Sequence, residues 1–241
     1  MSYEFDHSLA ATAARSERAA FIRRTYAHVA GAVLALIGLD ALLLNVVDHR
    51  AVVELMLGNR LTWLVVLLCF MGAGWLAQTW ASSETSRGVQ YLGLGLYVVA
   101  WAVIMLPLLI VASHVDAVSA DGRARIIPTA GIMTLAVFGG LTLAVFVTGK
   151  DFSFLRSILC VGSLIALGII VASILIGFSL GMLFCYAMIA LIAGYILYDT
   201  SNVMLHYRTD QHVAAALQLF GDVAILFWYI VQILLLSRSR D

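Results

Sequence analysis

Residues Val213–Leu236 read VAAALQLFGDVAILFWYIVQILLL and contain a single charged side chain, that of Asp222. A helix of this length is about 36 Å long, which is enough to cross a hydrocarbon core of about 30 Å. The run is continuously apolar and does not alternate between polar and apolar residues, as a barrel strand does. It therefore predicts a membrane-spanning helix that carries one acidic group at membrane depth.

Six similar runs precede it in the chain. Hydrophobic residues make up 63% of the 241 residues and charged residues 12%, whereas soluble domains contain about 45–50% and about 25%. We therefore predict an all-α membrane protein with seven transmembrane helices. The predicted spans are Thr25–Val47, Leu61–Trp80, Val89–Ser113, Pro128–Thr148, Phe154–Ile176, Leu180–Leu205 and Val213–Leu236.

The polar joints between these spans are short, which predicts one transmembrane domain at residues 25–236. It is flanked by a cytoplasmic N-terminal segment (1–24) and a C-terminal tail (237–241), and the first 24 residues lack the apolar core of a signal peptide. With the N-terminus inside, eight basic residues fall on the inner side and six on the outer side, which favours that orientation. The composition is rich in Arg and has one Lys, which we interpret as bacterial; it predicts the cell inner membrane.

Net charge and cysteine content exclude several function classes. The formal charge is zero, so nothing predicts nucleic acid binding. Cys69, Cys160 and Cys185 lie inside spans without CxxC spacing, and we interpret them as packing residues. We predict no cofactor. The expected partners are the lipid bilayer and other membrane proteins, and the expected state is a monomer.

Two aspartates lie deep in apolar sequence, Asp199 in the sixth span and Asp222 in the seventh. An ionisable group at this depth costs roughly 2.5–3.5 kcal/mol on insertion scales, so it needs a partner or a function. If the turn is centred near Thr209, the aspartates lie ten residues before it and thirteen after it. The difference of three residues is about 4.5 Å of helix. Two antiparallel neighbours can therefore bring both carboxyl groups to one level.

Helical spacing places further polar residues on the same helix faces as the two aspartates. Asp199, Asn202 and His206 stand at positions i, i+3 and i+7, and Gln218 lies one turn before Asp222. Residues at these spacings share one face of a helix. We predict that Asn202, His206 and Gln218 line the path to the two carboxyl groups.

A close pair of carboxylates has a defined chemistry. In a low-dielectric site the two groups cannot both ionise cheaply, so we expect them to share one proton near neutral pH and to titrate as a unit. Loss of that proton adds negative charge between the helices, which makes Asp199 and Asp222 a candidate pH switch. Their oxygens also suit calcium, which prefers oxygen ligands. A purely structural role, in which both aspartates lock the helices together, stays open.

Asp40 is the other acidic residue inside a span. It lies in the outer half of the first span, close to Asn45 and Asp48. We predict that it is a helix-end residue that reaches the membrane interface.

Three motifs resemble one family. The runs are Tyr195-Ile-Leu-Tyr-Asp-Thr200, Ala214-Ala-Ala-Leu-Gln-Leu-Phe-Gly-Asp222 followed by Leu226-Phe227, and Gly149-Lys-Asp-Phe-Ser-Phe-Leu155. With seven spans, they are similar to the transmembrane Bax inhibitor motif family, in a bacterial-type member. The similarity in layout covers nearly the whole chain.

This resemblance implies a fold in which six helices surround a central, C-terminal seventh. It also implies a pH-sensitive calcium leak channel, in which Asp199 and Asp222 match the family's paired aspartates. In some members an arginine near the end of the second span latches onto the pair. Here Glu84 stands at that place and Arg87 follows one turn later, and Gly221 replaces the tyrosine common before the second aspartate. We expect an altered latch and looser packing around Asp222.

Two other functions compete with the channel. Intramembrane aspartyl proteases carry Tyr-Asp in one span and Gly-x-Gly-Asp in the next, but Leu219-Phe-Gly-Asp222 lacks the first glycine, and no proline follows to form a Pro-Ala-Leu motif. We therefore predict that the chain is not an enzyme. The other candidate is a non-conducting regulator of a membrane partner, such as a quality-control protease.

Overall fold

The computed structural model describes residues 9–58, 60–83, 86–118 and 125–239. Within these residues the chain forms eight α-helices and no strand, and seven of the helices are long and apolar enough to cross a membrane. This confirms the predicted all-α membrane fold. The helices are α1 (Arg15–Val46), α2 (His49–Gly58), α3 (Arg60–Ala81), α4 (Arg87–Val118), α5 (Ile126–Thr148), α6 (Leu155–Ile176), α7 (Met182–Leu205) and α8 (His212–Arg238).

Two helices are longer than the apolar runs that predict them. α1 begins at Arg15 and α4 continues to Val118, beyond the spans predicted to start at Thr25 and to end at Ser113. The added turns of α1 are rich in Arg, Ala and Glu, which are good helix formers, so this helix begins before the apolar sequence does. The additional helix α2 lies in a predicted polar joint. Its ten residues are too few to span a membrane, and it packs against α3 and α4.

The C-terminal helix α8 is central, as the resemblance implies. It packs against α1, α3, α4, α5 and α7, while α6 lies outside it against α3 and α7. One face of α8 belongs to an apolar cluster shared mainly with α5 and α7, and the opposite face to a cluster shared with α1, α3 and α4. The first face carries Ala215, Ala216, Leu219, Val223 and Leu226; the second carries Val213, Ala214, Leu217, Phe220 and Ala224. The many alanines let the neighbouring backbones approach closely.

Close backbone contact also joins α3 to α4. A Cβ atom at Gly93 would lie 2.6 Å from the Ala77 carbonyl oxygen and 2.7 Å from the Ala81 nitrogen. These distances are shorter than van der Waals contact, so only glycine fits this position. Two residues further along α4, a Cβ at Gly95 would meet no atom within 4 Å. The two glycines thus have different roles in one helix.

A largely buried ion pair lies at the end of the bundle where α4 and α8 finish. Arg238 Nη1 donates to Asp116 Oδ1 at 3.0 Å, and the two side chains are 15% and 13% exposed. The same carboxylate accepts the backbone N–H of Ile126 at 3.0 and 2.9 Å. The contacts connect the last turns of α4 and α8 to the first turn of α5. The carboxyl end of the central helix is therefore held in place.

Candidate functional site: a carboxyl pair between α7 and α8

Asp199 of α7 and Asp222 of α8 lie side by side inside the bundle. Their side chains are within hydrogen-bonding reach of each other, and the residues are 4% and 6% exposed. A hydrogen bond between two carboxyl groups requires that one of them carries a proton. α7 and α8 are antiparallel and joined by a short turn, so both aspartates reach one level. The structure thus brings together the two residues that the spacing predicts to meet.

Amide side chains surround one member of the pair. Gln218 Nε2 donates to Asp199 Oδ2 at 3.1 Å, and Asn202 lies within hydrogen-bonding reach of the same carboxyl. Asp222 has fewer contacts, because its Oδ2 is buried and has no hydrogen-bond partner among the described residues. A buried acceptor without a partner costs free energy. The two carboxyl groups therefore differ in their polar surroundings.

Other predicted site residues lie away from the pair. His206 is at the exposed end of α7, where its Nε2 lies 3.7 Å from Asp151 Oδ2. Arg87 is exposed in the first turn of α4, and Glu84 lies outside the described residues. The latch and the pore-lining role of His206 stay predictions.

A group of buried hydroxyl groups that the sequence does not single out lies near the pair. Tyr26 of α1 is close to Thr142 of α5 and Thr200 of α7, and their hydroxyl oxygens are buried without close hydrogen bonds. The charge of Asp222 acts on Tyr26 and on Tyr207. A single tyrosine or threonine in an apolar span has the pattern of a packing residue. Nothing in the sequence distinguishes these from the others.

Tyr97 of α4 occupies the space next to Gly221. A Cβ at Gly221 would lie 2.9 Å from the Tyr97 hydroxyl oxygen and 3.2 Å from its ring. Packing beside Asp222 is therefore not loosened by the glycine, contrary to our expectation. A side chain from a neighbouring helix fills the volume, which no local pattern can indicate.

We predict that Gly221→Ala lowers the stability of the protein and that Tyr97→Phe partly restores it. The added methyl group clashes with the tyrosine oxygen, at an expected cost of about 1–2 kcal/mol. Phenylalanine removes that oxygen, so the double variant should be more stable than the sum of the two single changes predicts. Thermal unfolding of all four proteins in detergent measures the coupling. Additive effects would contradict the contact.

Asp40 corrects another expectation. It is buried in α1, 7% exposed, and its Oδ1 has no hydrogen-bond partner among the described residues. It lines an apolar cavity of about 240 Å³ with residues that include Thr134 and Val223. The prediction of an interfacial residue is wrong because α1 continues for six more residues, to Val46, and α4, α5 and α8 cover this face.

The two aspartates alone supply few ligands for a metal ion. Among the described residues, no group of three or more His, Cys, Asp or Glu side chains is placed to hold a metal ion. Two carboxyl groups are fewer ligands than the six to eight oxygens that calcium takes.

A bundle of seven spanning helices around a buried carboxyl pair defines a class of multi-pass membrane protein. The family model described as "Inhibitor of apoptosis-promoting Bax1" matches residues 18–240, and the chain belongs to this family. This confirms the resemblance drawn from the motifs.

Named relatives occur in plants, fungi and bacteria. A BI1-like protein of Arabidopsis thaliana is 37% identical over 124 residues, which cover 46% of this chain and 45% of the relative. Bax inhibitor 1 of Schizosaccharomyces pombe is 35% identical over 120 residues, 49% of this chain and 45% of the relative. An uncharacterized membrane protein of Vibrio cholerae is 29% identical over 110 residues, which cover 45% of this chain and 49% of the relative. The chain spans about half the length of these relatives. No solved structure matches it.

Proposed function

We propose that this protein is a pH-sensitive calcium leak channel, gated by the proton that Asp199 and Asp222 share. The observation that supports this most is the contact between the two carboxyl groups inside the bundle. We place the protein in the cell inner membrane with a cytoplasmic N-terminus, and we expect it to act as a monomer without a cofactor.

The shared proton determines whether the path is closed. While it is present, the hydrogen bond between the carboxyl groups holds α7 against α8. When it leaves, two negative charges repel each other in a low-dielectric site and favour separation of the helices. Calcium then enters as the transported ion. Asp222 Oδ2 and the Asp199 carboxylate receive it, and the amides of Asn202 and Gln218 line its path.

A second candidate is a non-conducting regulator of another membrane protein. The names "Bax inhibitor 1", of the relative from Schizosaccharomyces pombe, and "Inhibitor of apoptosis-promoting Bax1", of the family, describe action on a partner. In such a protein the aspartates would lock α7 to α8, and a membrane quality-control protease would be a suitable partner. We expect no enzymatic activity in either case.

Liposomes that contain only the purified protein test the proposal. We expect calcium to enter them faster at pH 8 than at pH 6, because a single shared proton changes the ratio of open to closed protein by up to about tenfold per pH unit. A calcium-sensitive dye inside the liposomes measures the rate, and empty liposomes are the control. Folded protein that gives no flux at either pH would exclude the channel and leave the regulator.

A further inference from the structure

A second polar cluster lies at the end of the bundle where α8 begins. His28 of α1 donates from Nδ1 to the Arg24 carbonyl at 2.6 Å, and its Nε2 lies 3.2 Å from the Tyr91 hydroxyl of α4. Its ring also meets His212, the first residue of α8, with 5.1 Å between ring centroids. Three helices thus bring aromatic and imidazole groups to one point. None of them takes part in the aspartate site.

This cluster carries excess positive charge. Arg24 and Arg87 are exposed and stand one helical turn before His28 and Tyr91 on α1 and α4, and their charges act on His212. His212 is 8% exposed and its Nδ1 has no close hydrogen bond among the described residues, although the Asp210 backbone lies near it. The first turn of α8 has no side-chain cap, so the positive end of a long helix adds to the field. We call Arg24, His28, Arg87 and His212 the basic cluster.

An apolar groove of about 560 Å³ runs from the basic cluster along α1 and α4. It exists because small residues replace bulky ones along α1 and at Gly95 of α4: a Cβ at Gly31 or Gly95 would meet no atom within 4 Å. From His28 to Leu39 the groove follows eleven residues of α1, or about 16 Å toward the membrane centre. Small and aliphatic residues line it, among them Ala27, Gly31, Ala35, Leu39 and Gly95.

We propose that this surface binds an anionic phospholipid, with its phosphate at the basic cluster and one acyl chain in the groove. Arg24 and Arg87 supply charge and N–H donors for the phosphate oxygens, next to the paired His28 and Tyr91 side chains. Basic pockets between helices at the membrane interface have this chemistry. Free phosphate would use the cluster but would leave the long apolar groove unfilled. The lipid site does not depend on whether the protein conducts calcium.

Native mass spectrometry of the purified protein in detergent tests the site. The probes are phosphatidylglycerol, phosphatidylcholine and inorganic phosphate, added separately and in competition. We expect one phosphatidylglycerol to bind in preference to phosphatidylcholine. The double variant Arg24→Gln/Arg87→Gln should weaken it roughly 25-fold, because each arginine near a membrane surface contributes about a factor of five. Gly31→Leu should also weaken it, because leucine fills the groove without contacting the cluster.

Arg156→Gln is the matched control. Arg156 is an exposed arginine in the first turn of α6, outside the groove, so its loss should leave lipid binding unchanged. Equal binding of phosphatidylglycerol by all variants would overturn the proposal. It would also be overturned if Gly31→Leu had no effect and inorganic phosphate displaced the lipid, since the surface would then be a simple anion site. Both altered surfaces are exposed, and unchanged thermal unfolding would show that the variants are folded.

Discussion

Asp199→Asn and Asp222→Asn are each expected to abolish most of the pH dependence of calcium flux between about pH 6 and pH 8. Asparagine has nearly the size of aspartate but cannot titrate, so the pair can no longer share and release a proton. The wild-type rate should change by up to about tenfold per pH unit, whereas each variant should change by less than about twofold over the range. Dye-loaded liposomes with equal amounts of protein give both profiles.

Asp40→Asn provides the matched control for this experiment. Asp40 is also a buried aspartate in a spanning helix, but it is not a member of the pair. Its replacement should leave the shape of the pH profile intact. If all three variants gave the wild-type profile, the pair would be a structural clamp, and the regulatory function would become the better candidate. If Asp40→Asn alone flattened the profile, the pH sensor would lie at Asp40.

Among Gly→Ala substitutions in the described part of α4, Gly93→Ala is expected to lower the stability of the protein most. The new methyl group would meet backbone atoms of Ala77 and Ala81 at 2.6 and 2.7 Å. Backbone atoms cannot rotate away, so α3 and α4 must separate, at a cost of about 3 kcal/mol at the upper end of overpacking effects. Cys185 is buried and offers a probe, because its thiol becomes reactive when the bundle opens. Labelling during heating should begin at a markedly lower temperature.

This measurement needs Cys69→Ser and Cys160→Ser as a background, since both of those thiols are exposed. Gly95→Ala is the control, because its methyl group enters open space on the same helix. Alanine favours helix over glycine by about 1 kcal/mol, so this variant should unfold at the wild-type temperature or slightly above it. Equal behaviour of the two alanine variants would contradict the close approach of α3 and α4.

The aspartate pair shows which features of the site can be predicted from the sequence. Asp199 and Asp222 could be placed at one depth because helical rise and a short turn fix their levels, and both side chains are costly in lipid. Asp40 was predicted wrongly, because its closeness to a helix end suggested the membrane interface. Whether a residue near a helix end reaches water depends on the helices that cover it. That information lies in other parts of the chain.

The amino-acid sequence by itself determined that the chain lies in lipid, how many helices span the membrane, and that the two carboxyl groups lie at one depth. Each of these depends on the length of an apolar run or on helical rise, which are local quantities. Only the tertiary structure decided which side chains meet there. Tyr97 fills the space beside Gly221 from a helix more than a hundred residues earlier, and His28 meets His212 across α1 and α8. In a seven-helix bundle such contacts depend on helix rotation and close backbone packing, which apolar periodicity leaves undetermined because nearly every face of each helix is apolar.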